Sequence, residues 1–424
     1  MTERLYYADS FLTEFDAVVM EIQELSRANG RSLWRVALDR SAFYPTSGGQ
    51  PHDTGRLIAT ARSGTELVAE ILGVEEDESG QVWHHTAKPL LAETRVCGFV
   101  DGARRLDHVQ QHSGQHLLSA AFIRVCGAPT VSFHLGDRTS TIDLAVDSLP
   151  DATLLEVEEL ANRVIAEDRP VTATTASRKQ AEEWLANREL RKLPPRDGDL
   201  RIIDIADVDR NACGGTHVRS TGQIGGLHLR AVEKVRQGLR VEFVCGLRAM
   251  RAVREDFRSL TEAGRLLSAG LAEVPEAVEQ LRSHAKQTAR QIEALTLELA
   301  EHRAAKLVRE TPLQDGLRIV RLRLGPPDYP SPAEGKLLAS KLTAFAAHTI
   351  TILAWQPPEK KDVATIIFAR TSDLDFDCGA LLQETLAQYD GRGGGSKSIA
   401  QGSIAQGHLL PAMDDLETAA KASR

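Results

Sequence analysis

Two pairs of residues with metal-binding side chains lie roughly a hundred positions apart in the chain. The first pair is His112 and His116, and the second is Cys213 and His217. Three imidazoles and one thiolate form a ligand set that suits tetrahedral zinc. An isolated pair of histidines at this spacing is equally typical of an ordinary helix, so the prediction of a zinc site depends on both pairs together.

The sequence around each pair predicts how its side chains are presented. The i, i+4 spacing of the two histidines places both rings on one face of a helix. We expect this helix to begin at Asp107 as N-cap and to end at Gly127. Cys213 and His217 follow the β-branched segment 200–206, which predicts a buried strand, and the glycines between them favour a loop. The proposed site therefore joins a helix face to a loop that follows a strand.

The role of the metal stays open in the sequence. Four protein ligands indicate a closed structural site, whereas three ligands and a water indicate a catalytic one. The pattern does not decide whether His217 binds together with the other three ligands. Ser113 stands where HExxH metalloproteases carry their general-base glutamate, so peptide hydrolysis of that kind is not indicated. A Cys-x-x-Cys pair, which a zinc finger needs, is missing from the sequence.

Composition limits the class of protein. A chain of 424 residues predicts two to four domains, and no apolar run is long enough to span a membrane. Five scattered cysteines favour a reducing cytoplasm over a disulfide framework. The net charge of −8 argues against a general nucleic-acid binder.

Local groups of basic residues differ from this acidic average. One group lies between positions 219 and 248 and comprises Arg219, Arg230, Lys234, Arg236, Arg240 and Arg248. A second group comprises Arg188, Arg191, Lys192, Arg196 and Arg201. Such groups can contact phosphates, and they can equally form a solvated face that has no partner.

The chain divides into four predicted parts of an α+β multidomain protein. Residues 1–105 alternate short apolar runs with glycine-rich breaks, which is typical of a small β module. Residues 106–250 hold both metal motifs and mix helices with strands. Residues 251–311 are helical, with Pro275 in a first helical turn. Residues 312–424 alternate strand and helix patterns and predict a small α/β domain that ends in a glycine-rich loop.

The helical part carries an apolar stripe that we call the α-seam. Its residues follow a three-four spacing and are Val278, Leu281, Ala285, Ile292, Leu295 and Leu299. This spacing predicts packing either against the preceding helix or against a second copy of the chain.

Five segments carry a family resemblance. Residues 107–119 (DHVQQHSGQHLLS) and 211–218 (NACGGTHV) resemble the two motifs of the alanyl-tRNA synthetase editing domain. The other three are 43–55 (FYPTSGGQPHDTG), similar to the N-terminal barrel motif of that family, 220–225 (STGQIG), and 393–401 (GGGSKSIAQ), similar to the end of the DHH-associated domain. The matches are in order, with one departure at Gly102, where an aromatic residue is commoner. The aminoacylation domain that would precede them has no room, so the chain resembles the long form of the free-standing AlaX editing proteins.

The resemblance implies a fold and an activity. The expected parts are an N-terminal β-barrel-like module, an α+β zinc-containing editing domain, a helical connector and a small C-terminal α/β domain. The expected activity is zinc-dependent hydrolysis of the ester that joins serine, or glycine, to alanine tRNA. ATP binding is expected with this function. A homodimer through the helical connector is one of the two packings that the α-seam predicts.

The resemblance also implies roles for single residues. His112, His116, Cys213 and His217 would bind zinc. A hydroxyl near Ser132 would recognise the serine side chain, with Thr130, Thr139 and Thr141 as alternatives. Gln115, which lies between the ligands, and Thr216, which lies beside His217, could orient water or substrate because of their positions. The residues expected to contact tRNA are Arg219, Lys234, Arg236, Arg240, Gly393, Gly394, Gly395 and Lys397.

Two other functions stay open. One is an RNA-binding module with a structural zinc and no turnover. The other is a hydrolase of the threonyl-tRNA editing type, which shares the two metal motifs. The glycine-rich C-terminal match favours the alanine system.

Overall fold

A computed structural model describes residues 1–28, 31–187, 189–191, 193–194, 198–236, 238–356 and 362–423. The chain forms two compact units, residues 1–262 and 263–424. Each unit mixes helices and strands, which confirms the predicted α+β multidomain class. The finer division near residues 105, 250 and 311 stays a prediction.

The first unit begins with a closed six-stranded barrel, which confirms the predicted N-terminal module. The barrel order is β2-β3-β7-β6-β5-β8. Alternate residues of its strands point inward, as in β8, and build a core from Phe15, Val36, Leu57 and their neighbours. The elements of this region are β1 (Glu3–Arg4), α1 (Leu5–Ala8), β2 (Glu14–Ala28), β3 (Arg31–Leu38), β4 (Arg40–Ser41), β5 (Gly55–Thr60), β6 (Glu66–Glu76), β7 (Val82–Thr86) and β8 (Arg95–Val100).

A helix-and-sheet region follows the barrel within the same unit. Its strands form a four-stranded sheet, β14-β15-β10-β9, and a three-stranded sheet, β11-β12-β13. Helices α2 and α3 share one apolar core with the larger sheet. The elements are α2 (Gly102–Cys126), β9 (Thr130–Leu135), β10 (Ser140–Leu144), α3 (Asp151–Ala166), β11 (Val171–Ala176), α4 (Arg178–Ala186), β12 (Leu200–Ile205), β13 (Asp209–Ala212), β14 (Leu227–Val235) and β15 (Gly238–Cys245).

Helix α2, which carries the first histidine pair, begins earlier than predicted. Asp101 is its N-cap and accepts hydrogen bonds from the main-chain N–H groups of Ala103 and Arg104, at 3.0 and 3.1 Å. The prediction of Asp107 as N-cap is wrong, because that carboxylate lies inside the helix and pairs with Arg248. The predicted end at Gly127 is confirmed by its left-handed backbone (φ 67°).

The second unit contains a long helix and a five-stranded sheet of order β16-β17-β18-β20-β19. Only β16 and β17 are parallel, and the other three pairs are antiparallel. Pro275 lies in the first turn of α6, as predicted. Starting with α5, which crosses the boundary between the units, the elements are α5 (Gly246–Leu267), α6 (Val274–Glu310), β16 (Arg318–Leu324), α7 (Pro332–Phe345), β17 (Thr349–Trp355), β18 (Val363–Arg370), α8 (Cys378–Ala387), β19 (Arg392–Gly395), β20 (Ile399–Ala405) and α9 (Leu409–Ala422).

The glycine run near residue 394 is a strand and not the predicted loop. It forms β19, which pairs with β20. A Cβ atom on Gly393 would lie 2.9 Å from Leu386 Cδ1, and one on Gly395 would lie 2.4 Å from Ala400 Cα. These two glycines therefore permit close packing of the strand. Gly394 has open space at its Cα.

Candidate metal centre

The four predicted metal ligands meet at one point of the first unit. Their ligand atoms all lie within 4.8 Å of one another. Helix α2 presents His112 and His116 from adjacent turns, and the segment after β13 presents Cys213 and His217. Cys213 Sγ lies 3.3 Å from the Nε2 atoms of both His112 and His217. A tetrahedral zinc would hold sulfur and nitrogen ligands about 3.5 Å apart, so the donor set fits this metal.

Each of the three imidazoles has its Nδ1 atom beside a second residue. The distances are 2.7 Å from His112 Nδ1 to Gln50 Oε1, 3.2 Å from His217 Nδ1 to Ser113 Oγ, and 3.4 Å from His116 Nδ1 to Asp209 Oδ2. The last is an ion-pair distance without hydrogen-bond geometry. Hydrogen bonds thus occupy Nδ1 of His112 and His217, and Nε2 is the nitrogen that these two rings offer to a metal.

The charges of the cluster favour a thiolate. Burial alone would raise the pKa of Cys213, but the neighbouring His112 and His217 hold it well below its usual value. Burial lowers the pKa of His217 to about 3. Burial also disfavours the charged form of His116, yet Asp209 and Cys213 raise its pKa to about 9. These shifts favour the thiolate of Cys213 and the protonated form of His116, so metal binding to His116 would displace a proton.

The turn that carries Cys213 and His217 is held from two sides. Arg201 Nη1 donates to the carbonyl oxygens of Cys213 and Gly215, at 3.0 and 2.8 Å. A Cβ atom on Gly215 would lie 2.1 Å from His112 Cε1. Glycine is therefore required here, because the main chain passes directly against a ligand ring.

The predicted catalytic residues occupy different environments. Gln115 lines a cleft beside His116, and its Nε2 donates to Ser119 Oγ at 2.8 Å. Thr216 is buried, and its hydroxyl contacts Gln50, at 2.9 Å from Nε2. Ser132 is exposed and donates to Asp143 Oδ2 at 2.8 Å. The structure therefore brings Gln115 and Ser132 to the wall of one cleft, with the Ser132 hydroxyl bonded to Asp143 and the Thr216 hydroxyl bonded to Gln50.

A β-bulge explains the position of Ser132. Ser132 is opposite Asp143, whereas Thr130 is opposite Leu144, so Val131 is an extra residue in β9. A one-residue shift turns the following side chains to the other face of the sheet. Thr130 Oγ1 consequently lies 2.7 Å from Ser119 Oγ on α2, although Ser132 faces Asp143.

Two clefts border the cluster at Cys213. The larger has a volume of about 810 Å³, and its wall includes Gln115, His116, Thr130 and Phe133. The smaller has a volume of about 390 Å³, and its wall includes Arg4, Tyr7, Thr46, Ser47 and Arg201. The cluster is thus accessible from spaces large enough for a small ligand.

Ion pairs neutralise most of the first basic group. The pairs are Arg219 with Asp9, Arg230 with Asp256, Arg240 with Asp143, and Arg248 with Asp107. Lys234 and Arg236 are exposed and make no ion pair within the part of the chain that the structure describes. In the second group, Arg191 pairs with Asp209 at 2.7 Å and Arg201 binds carbonyl oxygens. Arg188, Lys192 and Arg196 lie outside the described residues.

Sequence reasoning missed the residues that support the ligands. Gln50, Asp209 and the hydroxyl of Ser113 are buried beside the histidines. Arg105 and Asp53 form a buried ion pair between α2 and the barrel. Gln50 and Asp53 both lie in the segment 43–55, so the family motif was their only signal.

Comparisons with known proteins identify the family of the chain. Residues 200–241, which include Cys213 and His217, match the family described as the threonyl and alanyl tRNA synthetase second additional domain. The alanyl-tRNA editing protein AlaX-M of Methanosarcina acetivorans is 34% identical over 239 residues, which cover 55% of this chain and 94% of that protein. The chain belongs to the AlaX family of alanyl-tRNA editing proteins.

Alanine–tRNA ligases are also similar. That of Archaeoglobus fulgidus is 33% identical over 411 residues, which cover 96% of this chain and 42% of the ligase. That of Pyrococcus furiosus is 33% identical over 309 residues, which cover 71% of this chain and 32% of the ligase. The chain thus spans less than half the length of these ligases. Within the described residues, no helix has the length and apolar character that crossing a bilayer requires.

Proposed function

We propose that the protein is a zinc-dependent hydrolase that deacylates alanine tRNA mischarged with serine or glycine. The observation that carries this proposal is the convergence of four ligand side chains, within 4.8 Å, beside a cleft of about 810 Å³. Relatives that are an alanyl-tRNA editing protein and alanine–tRNA ligases support it. Cytoplasmic location, which the cysteine usage favours, and ATP binding stay predictions.

Zinc suits this donor set because thiolate and imidazole are the ligands that it prefers. His112, His116 and Cys213 would hold it, with His217 as the fourth ligand. Zinc bound there supplies a Lewis acid that lowers the pKa of water or anchors the terminal groups of the substrate. The protein contributes the fixed directions of the rings and a cleft that admits the ester.

We propose that serine is recognised through a chain of hydroxyls on the cleft wall. Gln115 Nε2 donates to Ser119 Oγ, which contacts Thr130 Oγ1 at 2.7 Å. A serine side chain can join this chain, whereas alanine leaves a polar group without a partner. The loss of such a buried hydrogen bond costs about 1–3 kcal/mol, or roughly 5- to 150-fold in rate.

The test is a deacylation assay on Ser-tRNA(Ala), Gly-tRNA(Ala), Ala-tRNA(Ala) and Ser-tRNA(Thr), with and without a chelator. We expect fast hydrolysis of the first two esters, slow hydrolysis of Ala-tRNA(Ala), and loss of activity with the chelator. Equal hydrolysis of seryl and alanyl esters would contradict editing. Zinc binding without turnover of any ester would favour the RNA-binding module, and preference for Ser-tRNA(Thr) would favour threonyl-type editing.

Two substitutions distinguish the candidate hydroxyls. Thr130→Val should narrow the preference for seryl over alanyl ester, because Thr130 belongs to the hydroxyl chain. Ser132→Ala should leave the preference unchanged, because that hydroxyl is bonded to Asp143. The reverse result would restore Ser132 as the recognition residue.

We propose that Lys234 and Arg236 contact tRNA phosphates. They are the members of the first basic group without ion pairs among the described residues. Each lost phosphate contact reduces the slope of log binding constant against log salt concentration by about one. Lys234→Gln with Arg236→Gln should therefore weaken tRNA binding and flatten its dependence on salt. Arg240→Gln is the matched control, since Asp143 already neutralises Arg240. Equal effects of both changes would contradict this assignment.

The predicted tRNA contacts of the second unit centre on β19. Lys397 is exposed in the turn after this strand, and Gly394 leaves its main chain open to close approach. Gly393 and Gly395 act in packing, so substitutions there report on folding as well as on binding. Lys397→Gln is the cleaner test, and unchanged tRNA affinity would remove Lys397 from the proposal.

We propose a homodimer through the α-seam. Its large residues are exposed in the single chain, with Leu281, Ile292 and Leu295 at 59%, 59% and 64%. The 3.5-residue repeat along α6 is the one that a second helix of the same sequence would bury. Leu295→Lys should convert a dimer into a monomer in sedimentation experiments. Ser283→Lys adds the same charge to α6 away from the α-seam and should leave the dimer intact. A wild-type protein that is a monomer would contradict the proposal.

A further inference from the structure

We propose that Gln50 of the N-terminal barrel is a positioning residue of the metal centre. It would determine which nitrogen of His112 faces the metal and would join His112 to the turn that carries the other two ligands. The barrel would then be a part of the metal site as well as its neighbour. This inference rests on the proposed binding of zinc.

The hydrogen bonds of Gln50 assign the orientation of its side-chain amide. Gln50 is fully buried, and its Oε1 lies 3.2 Å from the main-chain nitrogen of Thr216. A main-chain N–H can only donate, so the atom facing it must be the amide oxygen. The other amide atom, Nε2, then donates to Thr216 Oγ1 at 2.9 Å.

This orientation in turn assigns the tautomer of His112. The same oxygen of Gln50 lies 2.7 Å from His112 Nδ1, and an amide oxygen can only accept. His112 Nδ1 must therefore carry the proton. Its Nε2, which faces Cys213 Sγ at 3.3 Å, keeps the lone pair that a metal needs.

A buried ion pair holds the barrel segment that carries Gln50. Arg105 donates to both carboxylate oxygens of Asp53 and, at 2.7 Å, to the carbonyl oxygen of Ser10. Asp53 also accepts the main-chain N–H of Tyr44 at 2.6 Å, so the two ends of the segment are linked. Arg105 and His112 are seven residues apart, which is two helical turns, and they share one face of α2. One face of α2 thus contacts the segment twice.

The barrel also contacts the ligand turn at a second point. Ser10, which precedes β2, accepts the main-chain N–H of His217 at 3.1 Å. Together with the bonds from Gln50 to Thr216, this places two barrel residues on the turn between Cys213 and His217. The separation of the ligands is therefore set partly by the barrel.

Two substitutions at position 50 separate positioning from packing. Gln50→Glu keeps the acceptor. The Nδ1–H of His112 and the main-chain N–H and hydroxyl of Thr216 can all donate to a carboxylate. Gln50→Met keeps the volume and removes the acceptor. A positioning role predicts that the glutamate variant binds zinc at least as tightly as the wild type. It also predicts that the methionine variant binds roughly 10- to 100-fold more weakly, as is typical for residues that orient metal ligands.

The measurement is zinc affinity by competition with a chelator on the full chain, together with the visible spectrum of the cobalt-loaded protein. Gln111→Met is the matched control, because Gln111 is also buried but bonds the main chain of Cys245. It should leave both readouts unchanged even if it lowers stability. The methionine variant at position 50 should change both affinity and spectrum.

The possible failures are distinguishable. If the wild type binds neither zinc nor cobalt, the proposed zinc-dependent function fails. If it binds both and Gln50→Met matches it in affinity and spectrum, the positioning role is wrong while the zinc site stands. If Gln50→Glu binds zinc as weakly as Gln50→Met, an acceptor at position 50 does not restore the site and the inference is overturned.

Discussion

Removal of Arg105 should destabilise the contact between α2 and the barrel more than removal of its neighbour Arg104. The side chains of Arg105 and Asp53 are 1% and 0% exposed. Those of Arg104 and Asp137, which are 3.2 Å apart, are 26% and 74% exposed. The two adjacent arginines thus offer a buried and a surface ion pair on the same helix turn.

The burial sets the expected magnitudes. Arg105→Met leaves the Asp53 carboxylate buried without its cation, which costs roughly 3–5 kcal/mol. Arg104→Met breaks a surface pair worth about 0–1 kcal/mol and a hydrogen bond to the His52 carbonyl oxygen, at 3.0 Å, worth about 0.5–1.5 kcal/mol. The double variant Arg105→Met with Asp53→Leu should recover much of the loss, because no uncompensated charge remains.

Hydrogen exchange of peptides from segment 43–55 and from the start of α2 is the suitable assay. A chain of two compact units need not unfold in one step, and exchange reports local opening. A loss of about 3 kcal/mol accelerates exchange roughly a hundredfold, since each 1.4 kcal/mol is a factor of ten. The reasoning is refuted if Arg105→Met exchanges no faster than Arg104→Met, or if the double variant is no better than Arg105→Met alone.

Three further predictions follow from the same structure. Burial lowers the pKa of His84 to about 4 from 6.5, so the unfolded chain binds more protons than the folded chain between these values. The free energy of unfolding should therefore fall as pH falls through this window, by roughly 3 kcal/mol in total. Urea unfolding of His84→Gln should lack this share of the pH dependence. Gly114→Ala should destabilise the protein, because the alanine Cβ would lie 2.2 Å from Cys245 Sγ. The overpacking cost of about 1–3 kcal/mol exceeds the gain in helix propensity of about 1 kcal/mol. Adding Cys245→Ala should restore the melting temperature, and a failure to restore it would contradict the clash. Cys213→Ala should lower zinc content and hydrolysis together, because the thiolate is the only anionic ligand, and full zinc occupancy in that variant would remove Cys213 from the site.

The ligands were predictable because their spacing carries the signal. The i, i+4 histidine pair and the glycines between Cys213 and His217 describe a helix face and a tight turn without any knowledge of the fold. The structure brings these ligand atoms within 4.8 Å. The β character of residues 1–105 and strand β12 were also predictable, since apolar patterns are local. The barrel was expected only from the family resemblance, and β13, which directly precedes Cys213, was not predicted.

The supporting residues were not predictable from local pattern. Gln50 and Asp209 reach the histidines from distant parts of the chain, and a single buried polar residue has no periodicity. The direction of Ser132 depends on one extra residue in β9, which no propensity reveals. Arg219 and Arg240 are each paired with an acidic residue from a distant part of the chain. A count of basic residues therefore overestimates the positive charge that is available to a phosphate.

The bonds between Gln50 and Thr216 join residues 166 positions apart in the sequence. A contact of this range carries a large loop-closure entropy cost, which slows its formation. During synthesis the ribosome must therefore release the chain beyond His217 before any complete metal site exists. The barrel strands, which end at Val100, leave the ribosome before Cys213 and His217, so the proposed metal would bind to a chain whose barrel is already able to form.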